Sequence, residues 1–137
     1  MLNTILIDSG PLVALFDKDD AYHQRITAFV KGKRFKFVTT TAVLTEVTHL
    51  LDFSIEVQLL FFEWILHEGA IIHEIAQTDI ARVIELTKKY RDRPMDFADA
   101  TLVIAAEKTG IRNIISIDSD FYIYRLPNKV AIKNIFR

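Results

Sequence analysis

The amino-acid sequence predicts an α/β protein built on a mainly parallel sheet. Short apolar stretches that favour strands alternate with longer stretches whose length and end signals favour helices. This alternation is typical of parallel strands joined by helical crossovers. The 137 residues contain no internal repeat, low-complexity tract or linker-like stretch. We therefore expect a single domain over residues 1–137.

The end signals in the first half of the chain define two strands and three helices. Pro11 fits the first turn of a helix that begins at Ser9, because proline needs no backbone N–H there. Thr40 or Thr41 can cap the helix that carries Glu46. The predicted elements are a strand at residues 4–7, the helix from Ser9, a helix at residues 20–30, a strand at residues 35–39 and the helix after Thr40.

The second half of the chain continues the alternation. Gly110 supplies the stop that a helix needs at its carboxyl end. The predicted elements are a helix at residues 54–67, a strand at 70–73, a helix at 77–90, a loop at 91–94, a helix at 96–109, a strand at 113–117 and a short strand at 130–135. The helix at residues 54–67 is apolar on several sides, so it is either buried or meets another chain.

Composition narrows the function classes. Without cysteine the chain has no disulfide, thiolate zinc site or cysteine nucleophile. The net charge of −1 gives no broad attraction for nucleic acid, although bound cations can invert the local field. The longest apolar region, residues 57–72, includes Glu63, His67 and Glu68 and is too short and too charged to span a bilayer. We expect a cytoplasmic protein without a membrane segment.

Acidic side chains recur at the ends of the predicted strands and at the starts of helices. The carboxyl ends of parallel strands meet at one edge of a sheet, so acids placed there should face one crevice. Clustered carboxylates cannot all stay ionised without a compensating cation. The candidates are Asp8, Glu46, Asp96, Asp99, Asp118 and Asp120. Mg²⁺ or Mn²⁺ is the natural occupant of such a crevice, and phosphodiester hydrolysis is the natural chemistry.

Each acid also has a purely structural interpretation. Asp8 can start a turn, as can the two acids that follow the strand at residues 113–117. Asp96 can cap the helix that follows it, and Glu46 can be a solvated position on its helix. Asp99 is the hardest to interpret in this way, because its neighbours are apolar and a buried carboxylate needs partners.

At these positions the sequence resembles the PIN-domain family, and within it the small single-domain toxins of the VapC type. The motifs stand in the family's order and span nearly the whole chain: residues 7–12 (IDSGPL), 41–47 (TAVLTEV), 95–100 (MDFADA) followed by 104–106 (IAA), and 116–121 (SIDSDF). One departure is Ser116, where threonine is commoner, and the hydroxyl is retained.

The resemblance implies a three-layer α/β/α sandwich and a metal-dependent endoribonuclease that hydrolyses RNA phosphodiester bonds with Mg²⁺ or Mn²⁺. Carried over position by position, the catalytic metal site would comprise Asp8, Glu46, Asp99 and Asp118, with Asp120 as an alternative fourth acid and with Asp96, Ser9 and Ser116 in support. No motif encodes which RNA is cut or where.

The resemblance also implies a homodimer and a small antitoxin protein that silences the toxin. A mean hydropathy of +0.20 fits an apolar interface, and the helix at residues 54–67 could provide it, although core packing alone is an alternative. Arg91 and Arg93 precede Asp96 and either contact RNA phosphates or are solvated loop charges.

Three other functions fit part of the pattern. A phosphoacceptor receiver domain also gathers acids around magnesium, but it wants adjacent acids after the first strand, where Ser9 follows Asp8. A haloacid-type phosphatase needs an aspartate where Gly10 stands. A PIN-like fold with a binding role only is the remaining alternative, and the complete set of acids favours catalysis over it.

Overall fold

Parallel strands form the centre of the fold. A computed structural model describes residues 3–93, 95–117 and 132–136. The strands are β1 (Asn3–Ile7), β2 (Phe35–Thr39), β3 (Ala70–Ile72), β4 (Asn113–Ile115) and β5 (Lys133–Asn134). They form one five-stranded sheet in the order β3-β2-β1-β4-β5, and every described pair is parallel. The predicted parallel α/β sheet is confirmed.

Helices cover both faces of this sheet. In the described residues they are α1 (Ser9–Phe16), α2 (His23–Val30), α3 (Thr41–Leu50), α4 (Ile55–Leu66), α5 (Ile80–Lys89) and α6 (Phe97–Thr109). Ile5, Leu6 and Ile7 follow one another in β1, so their side chains alternate between the two faces, and all three are fully buried. The three-layer α/β/α sandwich is therefore confirmed. None of the described helices has the length and apolar character needed to cross a membrane.

The central strand β1 fixes the position of the site. Leu6 pairs with Val38 of β2 on one side and with Ile114 of β4 on the other. The chain therefore leaves β1 toward β2 but later returns to its opposite side, and a crevice opens at the carboxyl ends of β1 and β4. Receiver domains have the different strand order 2-1-3-4-5, so the receiver alternative is wrong.

Two element boundaries differ from the predicted ones because side chains take over backbone hydrogen bonds. The helix predicted from residue 20 begins at His23, because the Asp20 carboxylate accepts the Tyr22 N–H at 2.8 Å and holds a turn instead. The strand predicted to end at residue 117 ends at Ile115, because the N–H and C=O groups of Ser116 bond the Asn134 side-chain amide rather than the backbone of a neighbouring strand.

Three smaller differences concern the two edge strands of the sheet and one helix. The strand predicted at residues 70–73 ends at Ile72. The helix predicted at residues 77–90 is divided into a 3-10 turn at Gln77–Asp79 and the helix α5. Of the strand predicted at residues 130–135, Lys133–Asn134 is observed, while residues 130 and 131 lie outside the described residues.

Helix α4 is buried on one side and exposed on the other. Phe61 is fully buried, with its ring centroid 5.3 Å from that of Phe16 and 6.3 Å from that of Trp64. The solvent side carries five large apolar side chains, here called the α4 surface: Ile55, Leu59, Leu60, Phe62 and Leu66. The prediction that this helix is not wholly accounted for by core packing agrees with that exposure.

The carboxyl end of α4 is a Schellman motif. The Glu68 N–H donates to Ile65 C=O at 2.9 Å, and the Gly69 N–H donates to Trp64 C=O at 2.7 Å. Glu68 stands at the left-handed position of the motif with φ 65°, where glycine is usual. A Cβ atom at Gly69 would lie 2.1 Å from the Trp64 indole, so this position admits no side chain.

Candidate active site

Asp8 is held by backbone and side-chain donors at the carboxyl end of β1. Its backbone N–H donates to Ile115 C=O of β4 at 3.1 Å, which ties the end of β1 to the neighbouring strand. One carboxylate oxygen accepts the Ser9 N–H at 2.8 Å and caps α1, and the other accepts the Ser116 hydroxyl at 3.0 Å. The side chain is buried, so these donors fix its direction toward the crevice.

Ser116 is itself locked in place by Asn134 of β5. The Asn134 side chain accepts the Ser116 N–H at 3.2 Å and donates to Ser116 C=O at 2.8 Å. Both residues are buried. The last described strand thus holds the hydroxyl that orients Asp8, although it lies 18 residues from Ser116 along the chain.

Ser9 connects two of the predicted acids. Its backbone N–H bonds Asp8, while its hydroxyl donates to Oε1 of Glu46, which lies on α3 and is half-buried. Glu46 is therefore not a fully solvated position on its helix. The supporting position predicted for Ser9 agrees with these contacts, since one residue bonds both carboxylates.

Asp96 and Asp99 lie at the start of α6. Asp96 caps the helix by accepting the Asp99 N–H at 2.8 Å, so the interpretation of Asp96 as a helix cap is confirmed. Asp96 is exposed and Asp99 is buried. Their positions give the start of α6 one carboxylate at the surface and one in the interior.

A hydroxyl pair holds α3 and α6 together beneath these acids. The hydroxyl oxygens of Thr40 and Thr101 lie 2.7 Å apart and are buried. Because the Thr101 hydroxyl already donates to Ala98 C=O at 2.7 Å, Thr40 must be the donor between the two threonines. This bond joins the starts of the helices that carry Glu46 and Asp99, and we refer to it as the threonine clamp.

Acidic side chains from the starts of α1 and α6 and from one face of α3 line a single cleft. An open cavity of about 320 Å³ is bordered by Asp8, Ser9, Gly10, Glu46, Asp96, Asp99 and Ile117. Its side-chain donors are carboxylate and hydroxyl oxygens, which are the donors that Mg²⁺ and Mn²⁺ prefer. The donor set therefore fits a hard divalent cation.

The arrangement is not a closed metal site. Within residues 3–93, 95–117 and 132–136, no three His, Asp or Glu side chains are grouped so that they could hold a metal ion. Asp118 and Asp120, the predicted fourth acid and its alternative, lie outside the described residues. The structure therefore brings Asp8, Glu46, Asp96 and Asp99 to one cleft, and their roles as metal ligands stay predictions.

Two further cavities extend in succession from the acidic cleft, and sequence patterns did not predict them. The first, of about 490 Å³, is lined by Ala42, Thr45, Glu46, His49, Asp96, Phe97 and Ala98. The second, of about 460 Å³, is lined by Thr40, Thr41, Ala42, Thr45, His73, Glu74, Ile75, Phe97 and Thr101. Glu46 and Asp96 border both the acidic cleft and the first cavity. Ala42, Thr45 and Phe97 border both the first cavity and the second, so the three form a continuous groove.

The predicted basic residues lie at the surface. Arg91 and Arg93 are exposed in the turn that follows α5, and neither lines any of these three cavities.

Phe97 lines both further cavities of the groove, and sequence patterns did not identify it as a candidate. The available signal was an aromatic residue placed between two candidate acids at the start of a helix.

Known proteins share this fold and sequence pattern. The PIN domain family model matches residues 5–126. Ribonuclease VapC26 of Mycobacterium tuberculosis is 23% identical over 124 residues, which cover 83% of this chain and 86% of that relative. The crystal structure of VapC20 of Mycobacterium tuberculosis, described as a Sarcin-Ricin loop cleaving toxin, has a TM-score of 0.76 and 22% identity, covering 85% of this chain and 91% of that chain.

Proposed function

The chain belongs to the PIN domain family, and from this premise we propose that it is a metal-dependent endoribonuclease, the toxin of a toxin–antitoxin pair. The observation that supports the proposal most strongly is the single cleft lined by Asp8, Glu46, Asp96 and Asp99. The relative VapC26 is a ribonuclease by name, and the structural neighbour VapC20 is described as a Sarcin-Ricin loop cleaving toxin. The substrate proposed for this chain is RNA.

Asp8, Glu46 and Asp99 would hold Mg²⁺ or Mn²⁺, with Asp118 or Asp120 as a fourth acid. When bound, such an ion lowers the pKa of water and offsets charge on a phosphate. The chain's own part is to hold these carboxylates in place. Asp8 is directed by its bonds to the Ser9 N–H and the Ser116 hydroxyl.

Asp96 and the serines support the site without needing to touch the ion. Ser9 bonds Glu46 through its hydroxyl and Asp8 through its N–H, so the two carboxylates share one anchor. Asp96 fixes the first turn of α6 and thereby the position of Asp99. Catalysis depends on the geometry of the carboxylates that hold the ion, so a small displacement of these side chains should lower the rate.

The test compares Asp8→Asn and Asp99→Asn with the matched control Asp52→Asn, which changes an exposed acid outside the cleft. Wild type and control should cleave labelled single-stranded RNA with Mn²⁺ and stop when EDTA is added. The two cleft variants should lose at least about 100-fold in rate, because a metal ligand matters at least as much as its supporting partners. Circular dichroism checks that each variant is folded.

Wild-type cleavage by Asp8→Asn would refute the assignment of the site. Absence of cleavage by the wild type, with RNA binding intact, would favour the alternative of a PIN-like fold with a binding role only. Measuring RNA binding beside RNA cleavage therefore distinguishes the enzyme from a binding module.

Two contacts with other molecules follow from the proposed function. A homodimer would bury the exposed α4 surface, and a small antitoxin would silence the enzyme. Light scattering should give a dimer at micromolar concentration, and Leu59→Glu should give a monomer, since a buried charge without a partner opposes association. A wild-type monomer in this measurement would contradict the dimer.

RNA contact by Arg91 and Arg93 is also part of the proposal. Both are exposed and precede Asp96 in sequence. Replacing either with glutamine should weaken RNA binding and lower the slope of log affinity against log salt by about 1 for a lost phosphate contact. An enzyme that cuts cellular RNA in this way would act in the cytoplasm.

A further inference from the structure

We propose that Phe97 and the groove around it form a nucleobase subsite, on which one unpaired base of the RNA stacks beside the acidic cleft. The inference rests on the proposed ribonuclease function and adds the form of substrate that the cleft accepts. The ligand is an unstacked base of a single strand or loop, because a base inside a duplex cannot offer its face to a side chain.

The first observation is the exposure of an aromatic residue beside the acidic cleft. Phe97 is the first residue of α6 and lies between Asp96 and Asp99 in sequence. This residue is 50% exposed, although the helix from Asp99 to Ala106 is buried. Within the described part of the chain, Phe97 makes no ring contact with another aromatic residue or a cation. Packing within the described fold therefore leaves half of the surface of Phe97 uncovered.

The second observation is the position of Phe97 in the groove. Phe97 lines both of the further cavities of the groove, together with Ala42 and Thr45. The nearer cavity shares Glu46 and Asp96 with the cleft. A strand whose phosphate lies at the carboxylates would therefore reach the Phe97 ring with the neighbouring base.

The third observation concerns the side chains that border the ring. Ala42, Thr45 and Ala98 are small, so the first cavity keeps room beside Phe97. The second cavity adds polar groups from Thr41, Glu74 and His73. These are side chains that can bond the edge of a base whose face is covered by phenylalanine.

His73 adds an unusual feature to this second cavity. Its Nδ1 atom is buried and has no hydrogen-bond partner among the described residues. A His tautomer is normally fixed by the partner of the other ring nitrogen. Because no described residue fixes the tautomer through Nδ1, the other ring nitrogen can either donate a hydrogen bond to the edge of a base or accept one from it.

The test uses variants that separate the aromatic face from bulk and fold. Phe97→Leu keeps an apolar side chain but removes the face, whereas Phe97→Tyr keeps the face. Phe53→Leu is the matched control, since Phe53 is 57% exposed and lies in none of the three cavities. Fluorescence anisotropy in EDTA measures the affinity for a single-stranded RNA and for its duplex, and cleavage in Mn²⁺ gives kcat/KM.

Phe97→Leu should weaken single-strand binding by about 5- to 150-fold, the range that corresponds to loss of stacking on one base. Phe97→Tyr and Phe53→Leu should bind as the wild type does, and duplex binding should not change in any variant. An RNA with one abasic nucleotide next to the mapped cut should lose affinity for the wild type but not further for Phe97→Leu.

The outcomes distinguish the subsite from the enzyme. If the wild type binds and cleaves RNA and Phe97→Leu does so equally well, the subsite is wrong and the ribonuclease stands. If the wild type binds but does not cleave, the enzyme assignment fails, and the anisotropy series still decides the subsite. A change in oligomeric state without a change in RNA affinity would assign Phe97 to a protein interface and overturn the proposal.

Discussion

Removal of the threonine clamp should destabilise the protein by an amount that the structure allows to be worked out. The Thr40 hydroxyl donates to Thr101 at 2.7 Å and accepts the Val43 N–H at 3.4 Å, at the start of α3. Loss of a threonine cap costs about 1 kcal/mol. Loss of a buried neutral hydrogen bond costs about 1 kcal/mol more. Thr40→Val should therefore lower the free energy of unfolding by about 2 kcal/mol.

A double-mutant cycle isolates the bond between the two hydroxyls. Thr101→Val leaves the buried Thr40 hydroxyl without its acceptor and should cost about 1–3 kcal/mol. The double variant should be less destabilised than the sum of the two by about 0.5–1.5 kcal/mol, the value of the shared bond. Thr87→Val is the control, because among the described residues its exposed hydroxyl bonds only Val83 C=O within α5, and it should change stability by less than about 0.5 kcal/mol.

Urea unfolding followed by circular dichroism measures these differences. Additivity of the two single changes to within about 0.3 kcal/mol would refute the clamp as a coupled pair. Cleavage gives a second readout, because the clamp joins the helices that carry Glu46 and Asp99. Cleavage is measured without urea and at a temperature well below the unfolding transition. Under these conditions kcat/KM should fall in Thr40→Val but not in Thr87→Val.

Three further predictions concern the end of α4 and a surface ion pair. Gly69→Ala should destabilise the fold by about 3 kcal/mol, because the added Cβ would overlap the Trp64 indole at 2.1 Å, and a urea midpoint equal to that of the wild type would contradict this. Glu68→Gly should raise the free energy of unfolding by about 0.5–1 kcal/mol by relieving the left-handed φ of 65°, and a loss of stability would count against it. Lys108, through its hydrogen bond, holds the pKa of Asp79 below the ordinary value of 3.8, so this carboxylate stabilises the folded state above pH 3.8 and the contribution is lost as the pH falls through the lowered pKa. Lys108→Ala should raise the Asp79 pKa in an NMR titration, and an unchanged pKa would exclude the hydrogen bond as its cause.

Local signals in the sequence were sufficient for the elements and for several site residues. Pro11 after Ser9, Ser54 before α4 and Gly110 after α6 are end signals that act over one helical turn, and each stands where the structure has the corresponding helix end. The shared cleft of Asp8 and the acids on α3 and α6 was also predictable, because the carboxyl ends of parallel strands face one crevice.

Contacts between distant segments were not predictable from the same signals. The threonine clamp joins residues 61 positions apart, and Asn134 bonds Ser116 across 18 positions. Neither residue type carries a local pattern for such a partner, since the pairing is decided by packing of whole helices and strands. The exposure of Phe97 was hidden for the same reason, because burial at the start of a helix depends on what the rest of the fold leaves open.

The capping bonds made by Asp8 and Asp96 have a practical consequence. Each side chain serves the start of a helix through a single oxygen that accepts a backbone N–H. Asparagine performs that service as well as aspartate does. Replacing Asp8 with asparagine should therefore remove a proposed metal ligand and keep the helix cap, which would give an inactive, folded variant that could be expressed in quantity and crystallised with an uncut RNA strand.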